Sequence, residues 1–172
     1  MPNLPVQTDY DHVYRGYHAR IMRLSRLLLS DPREAEDVTQ EVFLKAFQRW
    51  KNGDEPEVWI AWLLRVTVNA CQDRRSSAWW RRWRGHTEEW REELHPAIEG
   101  AESQFRSHEQ YQRIWRHFRH LPQRQREIFA LRHLEGRSTA EVAEALNLSV
   151  GSVKRHLFRA VQRLRKVIGE ES

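Results

Sequence analysis

The chain has 172 residues, enough for one ordinary domain or two small ones. Its 40% hydrophobic and 31% charged residues, with only seven glycines, favour helices with solvated faces and argue against a disordered chain. The net charge of +5 and a pI of about 9.8 suit a polyanionic partner, and the single cysteine, Cys71, excludes an intramolecular disulfide.

Residues 1–9 lack the basic-then-apolar pattern of a signal peptide. No apolar run approaches the roughly 20 residues that span a bilayer, and the best stretch, residues 60–70, is broken by Arg65 and Asn69. A soluble, intracellular protein without membrane insertion is expected, in keeping with a reducing, cytoplasmic setting for Cys71.

Over residues 10–29, Val13, Tyr17, Ile21, Leu24 and Leu28 recur at steps of three and four, one buried stripe of a helix. Asp31-Pro32-Arg33-Glu34 then reads as a helix start: Asp31 caps, Pro32 suits the first position, and Glu34 can close a capping box. That helix carries Ala35, Val38, Val42 and Ala46 on one face and is expected to run to about Trp50. Residues 51–56 form a turn-rich loop. A third helix follows, with Trp59, Trp62, Leu63, Val66 and Ala70 inward.

Near Ser76 the character changes. The cluster Trp79-Trp80-Arg81-Arg82-Trp83-Arg84 leads into a stretch between His86 and Glu109 with seven acids and two bases, a net charge of −5, broken by Pro96 and Gly100. It reads as a linker. Interleaved Trp and Arg can stack on bases, pack the end of the third helix, or bind an inhibitory protein, and the residues do not rank these. Helical pattern resumes with Tyr111, Ile114, Trp115 and Phe118 and stops at Leu121-Pro122. A further helix has Ile128, Phe129 and Leu131 as its core. Residues 135–137 form a turn.

Ser138-Thr139-Ala140-Glu141 is a second capping box, opening a helix with Val142 and Leu146 inward. After the turn Asn147-Leu148-Ser149, the last helix carries Val150, Val153, Leu157, Val161, Leu164 and Ile168. From Arg113 to Ile168 there are 13 Lys or Arg against four Glu, so positive charge concentrates there. The expected fold class is all-α: two small helical domains, residues 1–76 and 108–172, joined by a linker over 77–107.

Residues 138–160 have the layout of a helix-turn-helix, a capped helix, a turn and a second helix that can enter the major groove. Ala143 is small where the helices cross, Asn147 tolerates a left-handed backbone, and Ser149 caps the second helix so that its first amides can meet a phosphate. Gly151, Ser152, Arg155 and Arg159 fall outward with Lys154 beside them, where Arg and Lys reach guanine edges or phosphates. An ordinary hairpin with a solvated basic face has the same periodicity.

The run from Leu121-Pro122 through Arg126-Glu127-Ile128-Phe129, Leu134-Glu135-Gly136-Arg137-Ser138 and Leu146-Asn147-Leu148-Ser149-Val150-Gly151-Ser152-Val153 to Ala160 resembles region four of bacterial sigma factors. Ala35-Glu36-Asp37-Val38-Thr39-Gln40-Glu41-Val42-Phe43 is similar to the polymerase-binding helix of region two. Trp62-Leu63-Leu64-Arg65 through Asp73-Arg74-Arg75 is similar to the promoter-melting helix that follows. With both regions in order and no third domain, the chain resembles the extracytoplasmic-function group over most of residues 10–168. Asn147 replaces a frequent Gly, and His156 stands where a small residue is common.

The resemblance implies an adaptor that binds core RNA polymerase and directs it to promoter DNA. It assigns polymerase docking to Asp37, Gln40, Glu41 and Phe43. It assigns minus-ten recognition to Asn69, Asp73, Arg74 and Arg75 with the loop of residues 51–56, and minus-thirty-five recognition to Ser149, Ser152, Lys154, Arg155 and Arg159. An anti-sigma factor is an implied partner. The acidic linker either threads the polymerase's RNA channel or is a solvated tether.

Phe43 lies off its helix's stripe, which allows a surface contact or a stripe widened together with Phe47. Trp59 and Trp62 are assigned to the core. His117 and His120 are read as surface residues, since two imidazoles fall short of a zinc site. With no phosphate-binding glycine loop, metal constellation or nucleophile motif, no enzyme activity, metal or cofactor is expected. The competing reading is a stand-alone helix-turn-helix regulator, whose amino-terminal domain would dimerise or sense a ligand.

Overall fold

A computed structural model of the protein describes residues 9–76 and 104–169, with side chains described at 9–76 and 112–166. The Trp79–Arg84 cluster, the acidic stretch to residue 103, and the side chains of Tyr111 and Ile168 lie outside the described residues. The chain divides into two compact units, Met1–Glu88 and Glu89–Ser172. All regular structure among the described residues is helical: α1 (Tyr10–Leu28), α2 (Pro32–Lys51) and α3 (Trp59–Ser76) in the first unit, then α4 (Gln104–Arg119), α5 (Gln123–Phe129), α6 (Thr139–Leu146) and α7 (Val150–Gly169) in the second. The α4 helix begins inside the segment expected to be linker.

In the first unit each helix packs on the other two. Asp9 caps α1 through the Asp11 amide, and Asp31 caps α2 by accepting from the Arg33 amide at 2.8 Å, with Pro32 at the first helical position. Glu34 does not complete the expected capping box. Its carboxylate turns to Arg74 of α3, 2.7 Å away.

The predicted stripes of α1 and α2 are buried, except that Tyr17 is half-buried. Between them the Thr39 hydroxyl donates to the Ala35 carbonyl at 2.8 Å and lies 3.3 Å from the Ser25 hydroxyl, so these buried polar groups are satisfied. Trp59, Trp62, Leu63 and Ala70 of α3 are buried as expected, and the two indoles meet edge-to-face at 5.9 Å. Val66 is only half-buried, whereas Ile60, Leu64, Thr67, Val68 and Cys71 are also covered.

In the second unit α7 packs against α4, α5 and α6. Ile128 and Leu131 are fully buried, but Phe129 is half-buried. Its helix widens into a π-helical turn at Ala130–Leu134, closed by the Glu135 amide donating to the Ala130 carbonyl at 2.9 Å. Gly136, at φ +65°, then reverses the chain toward α6.

Candidate nucleic-acid and polymerase interfaces

The helix-turn-helix is built from local chemistry that its sequence announces. Ser138 and Glu141 form a reciprocal capping box: the Ser138 hydroxyl accepts from the Glu141 amide at 3.2 Å, and the Glu141 carboxylate accepts from the Ser138 amide at 2.6 Å. That amide holds the Glu141 carboxyl below its ordinary pKa. Asn147 occupies the left-handed region at φ 52°, ψ 51°, and ends α6. The Leu148 amide returns to the Ala143 carbonyl at 2.9 Å, and Ala143 is buried at the crossing. Ser149 accepts from the Ser152 amide at 3.1 Å, leaving the Val150 and Gly151 amides at the exposed start of α7.

The inward stripe of α7 differs in detail from expectation. Val153, Ala160 and Leu164 are buried, Leu157 and Val161 are half-buried, and Val150 is 43% exposed. Val150 is the first residue of the helix, ahead of the turn that meets the core. Gly151, Lys154, Arg155 and Arg159 are exposed as predicted, and Ser152 is half-buried. Among the described residues no acid pairs with Lys154, Arg155 or Arg159. Phe158, 64% exposed, shares their face. Sequence reasoning missed it, although its place off the Val153/Leu157/Val161 stripe was a usable signal. His156 is half-buried on the flank of the helix, its Nδ1 without a hydrogen-bond partner among the described residues.

At the end of α3, Asn69 and Asp73 are exposed four residues apart, on one face. The two arginines beside them do not share that exposure. Arg74 is held by Glu34 at 2.7 Å and lies 3.7 Å from Asp37, both on α2. Arg75 is only 9% exposed and turns inward. A long side chain at the end of a packed helix can fold back onto its neighbour, and both arginines do so here.

On α2, Asp37 and Gln40 are exposed, and Glu41 is half-buried and pairs with Lys45 at 2.7 Å. Phe43 is not the surface residue its position off the stripe allowed: it is 3% exposed, with its ring 4.9 Å from Tyr14 and 5.5 Å from His18 on α1. It floors a groove of about 270 Å³ between α1 and α2, rimmed by Tyr10, Tyr14, Gln40, Leu44 and Phe47. The exposed apolar residues there are Tyr14, Leu44 and Phe47, with Leu44 57% exposed. Tyr10 donates its hydroxyl to the Phe43 carbonyl at 2.9 Å, and burial raises its pKa, with Tyr14 and Asp11 adding to the shift.

Among the described residues no three His, Cys, Asp or Glu side chains gather as metal ligands, and no helix is long and apolar enough to cross a membrane. His117 and His120 are exposed.

Two family descriptions match these two units. Sigma-70 region 2 matches residues 13–81, and Sigma-70, region 4 matches residues 111–164. The RNA polymerase sigma-E factor of Streptomyces avermitilis is 30% identical over 158 residues, covering 92% of this chain and 84% of that protein. The ECF RNA polymerase sigma factor SigM of Mycobacterium tuberculosis is 28% identical over 160 residues, covering 93% and 77%. The chain belongs to the extracytoplasmic-function sigma factors.

Its fold agrees with that of the sigma factor RpoE from Bartonella quintana, solved in complex with the anti-sigma factor NepR, at a TM-score of 0.72. That likeness, at 22% identity, covers 95% of this chain and 99% of the other. As a sigma factor, the chain binds core RNA polymerase and directs promoter-specific initiation. A stand-alone regulator would not carry region two.

Proposed function

We propose a division of labour among residues within this sigma factor. Region two, residues 1–76, docks on core polymerase through the α1–α2 groove, with Asp37, Gln40 and Glu41 along α2 as polar contacts and Phe43 supporting the apolar floor. Tyr14, Leu44 and Phe47 offer that partner an apolar surface that the free chain leaves wet. Asn69 and Asp73, with the loop of residues 51–56, engage the melted minus-ten strand, and Arg74 joins them once it leaves its acidic partners. Region four, residues 108–172, reads the minus-thirty-five duplex with Ser149, Ser152, Lys154, Arg155 and Arg159, and residues 77–107 connect the two.

The observation that carries this reading is the exposed basic face of α7, free of acidic partners among the described residues, behind a fully capped helix-turn-helix. Such a face supplies phosphate neutralisation and base contacts together. The protein carries no chemistry of its own and acts in the cytoplasm, where the polymerase is. An anti-sigma partner is supported by the solved relative bound to one.

The test is transcription in vitro with purified core polymerase, paired with binding of the chain alone to promoter duplex. Promoter-specific transcripts should require both chain and core. Tight promoter binding by the chain alone, with no affinity for core, would sink the proposal.

A further inference from the structure

We infer that Arg49 is a positioning residue, holding the loop of residues 51–56 in the shape that receives an unpaired minus-ten base. The inference rests on the region-two reading above and adds a residue that the reading does not contain. Arg49 lies in the last turn of α2, and its guanidinium meets the loop and α3 at once. Its Nε donates to the Asp54 carbonyl at 2.7 Å, its Nη2 pairs with the Asp54 carboxylate at 2.7 Å, and its charged centre lies 5.5 Å from the Trp62 ring.

The backbone repeats the clasp, because the Asp54 amide donates to the Arg49 carbonyl at 3.0 Å. Inside it, Gly53 takes φ +69° and donates to the Trp50 carbonyl at 3.0 Å, which reverses the chain within a few residues. Just beyond, the Trp59 indole N–H points to the Glu55 carboxylate at 3.4 Å, while the Trp59 ring stands edge-on to Trp62. The loop is thus pinned at Asp54 and Glu55, and both anchors converge on Trp62. Lys51 and Asn52 stay exposed at its edge.

This arrangement is poor value as stabilisation and good value as geometry. Arg49 and Asp54 keep 35% and 68% of their side-chain exposure, so water screens the pair. A planar guanidinium gripping one residue through its carbonyl and its carboxylate, with an aromatic face beneath, fixes an orientation that a lysine ammonium cannot. Drawing a base out of the stack already costs a few kcal/mol. A loop that also had to be ordered at that moment would add to the barrier, whereas a loop ordered in advance does not.

The experiment uses holoenzyme reconstituted from the full chain and core polymerase, on fork-junction templates unpaired at the minus-ten element. These carry either the preferred base or a substitute at each unpaired position. The quantity read is the ratio of open-complex yields on the two templates, which does not depend on the fraction of active protein. Arg49→Ala should lower the ratio by about tenfold, the scale of one good base contact, with core affinity unchanged.

Arg49→Lys should stay close to Arg49→Ala, because the charge survives and the two-point grip does not. Full recovery of the ratio in Arg49→Lys would overturn the inference. So would an unchanged ratio in Arg49→Ala when the loop variant Lys51→Ala/Asn52→Ala lowers it. If the loop variant also leaves the ratio unchanged, the assignment of this loop to the minus-ten element fails, and the role of Arg49 fails with it.

Discussion

The proposed contact surfaces of the two helical units hold their charged residues differently. In the second, Lys154, Arg155 and Arg159 stand exposed on α7 with no acidic partner among the described residues. In the first, several charges near the proposed contact surfaces are engaged with one another: Arg74 with Glu34 and Asp37, Lys45 with Glu41, Arg49 with Asp54. We relate the difference to what each proposed surface would meet. Duplex phosphates are present before the protein arrives, and a bare cation gains by releasing their counterions. On the roles proposed above, the paired side chains of region two would exchange these partners for polymerase or the melted strand on binding. On those proposed roles region four presents a finished surface, and region two an engaged one.

The largest effects test whether the units are separate in stability. Leu63→Ala removes a fully buried side chain from the first unit and should destabilise it by about 2–5 kcal/mol. Hydrogen exchange should then quicken in α1–α3 and stay slow in α5–α7. Loss of protection in both units would break the comparison.

Next in size is the finished surface. Arg155→Ala and Arg159→Ala should each weaken recognition of the minus-thirty-five element by about 1–3 kcal/mol, and the double variant should retain its affinity for core polymerase. Transcription on promoters with and without that element, beside a core pull-down, reads both quantities. Equal damage to the two would mean the surfaces are not divided as proposed.

A smaller effect sharpens the account of the engaged surface. Arg74→Ala should cost about 1 kcal/mol or less in urea unfolding, because its guanidinium remains partly exposed. Adding Glu34→Gln should cost little more if the two residues act as a pair. Fully additive losses would show that Glu34 and Arg74 stabilise the bundle independently.

The smallest effect is a pH dependence in the capping box. The folded-state pKa of Glu141 is lowered, first by the Ser138 amide, so its contribution is complete above the ordinary carboxylate range. It is lost as the pH falls through that lowered pKa. The Tm difference between the wild-type chain and Glu141→Gln should therefore shrink on acidification, and a gap that widens would refute the cap's role.

Much of this was legible in the residues because it is local. Helix periodicity, the caps at Asp31, Ser138 and Ser149, and the left-handed turn at Asn147 each depend on a few neighbours in the chain. The outward basic face of α7 follows from the same periodicity. Phe43 escaped because it sits beside its own helix's stripe, and only the approach of α1, bringing Tyr14 and His18, covers it. Glu34 escaped because its partner lies 40 residues away. The π-helical turn at Ala130–Leu134 escaped because its sequence reads as ordinary helix.

By itself, then, the sequence determined an all-helical chain with two sigma regions in order and a capped, basic helix-turn-helix. Those properties rest on backbone preference and on side chains a turn or two apart. The tertiary structure alone decided which arginines are displayed and which are held, that Phe43 is a floor and not a knob, and that Arg49 clasps the loop before α3. Each of these depends on a second helix arriving alongside the first, and periodicity within one helix carries no information about what its neighbour brings.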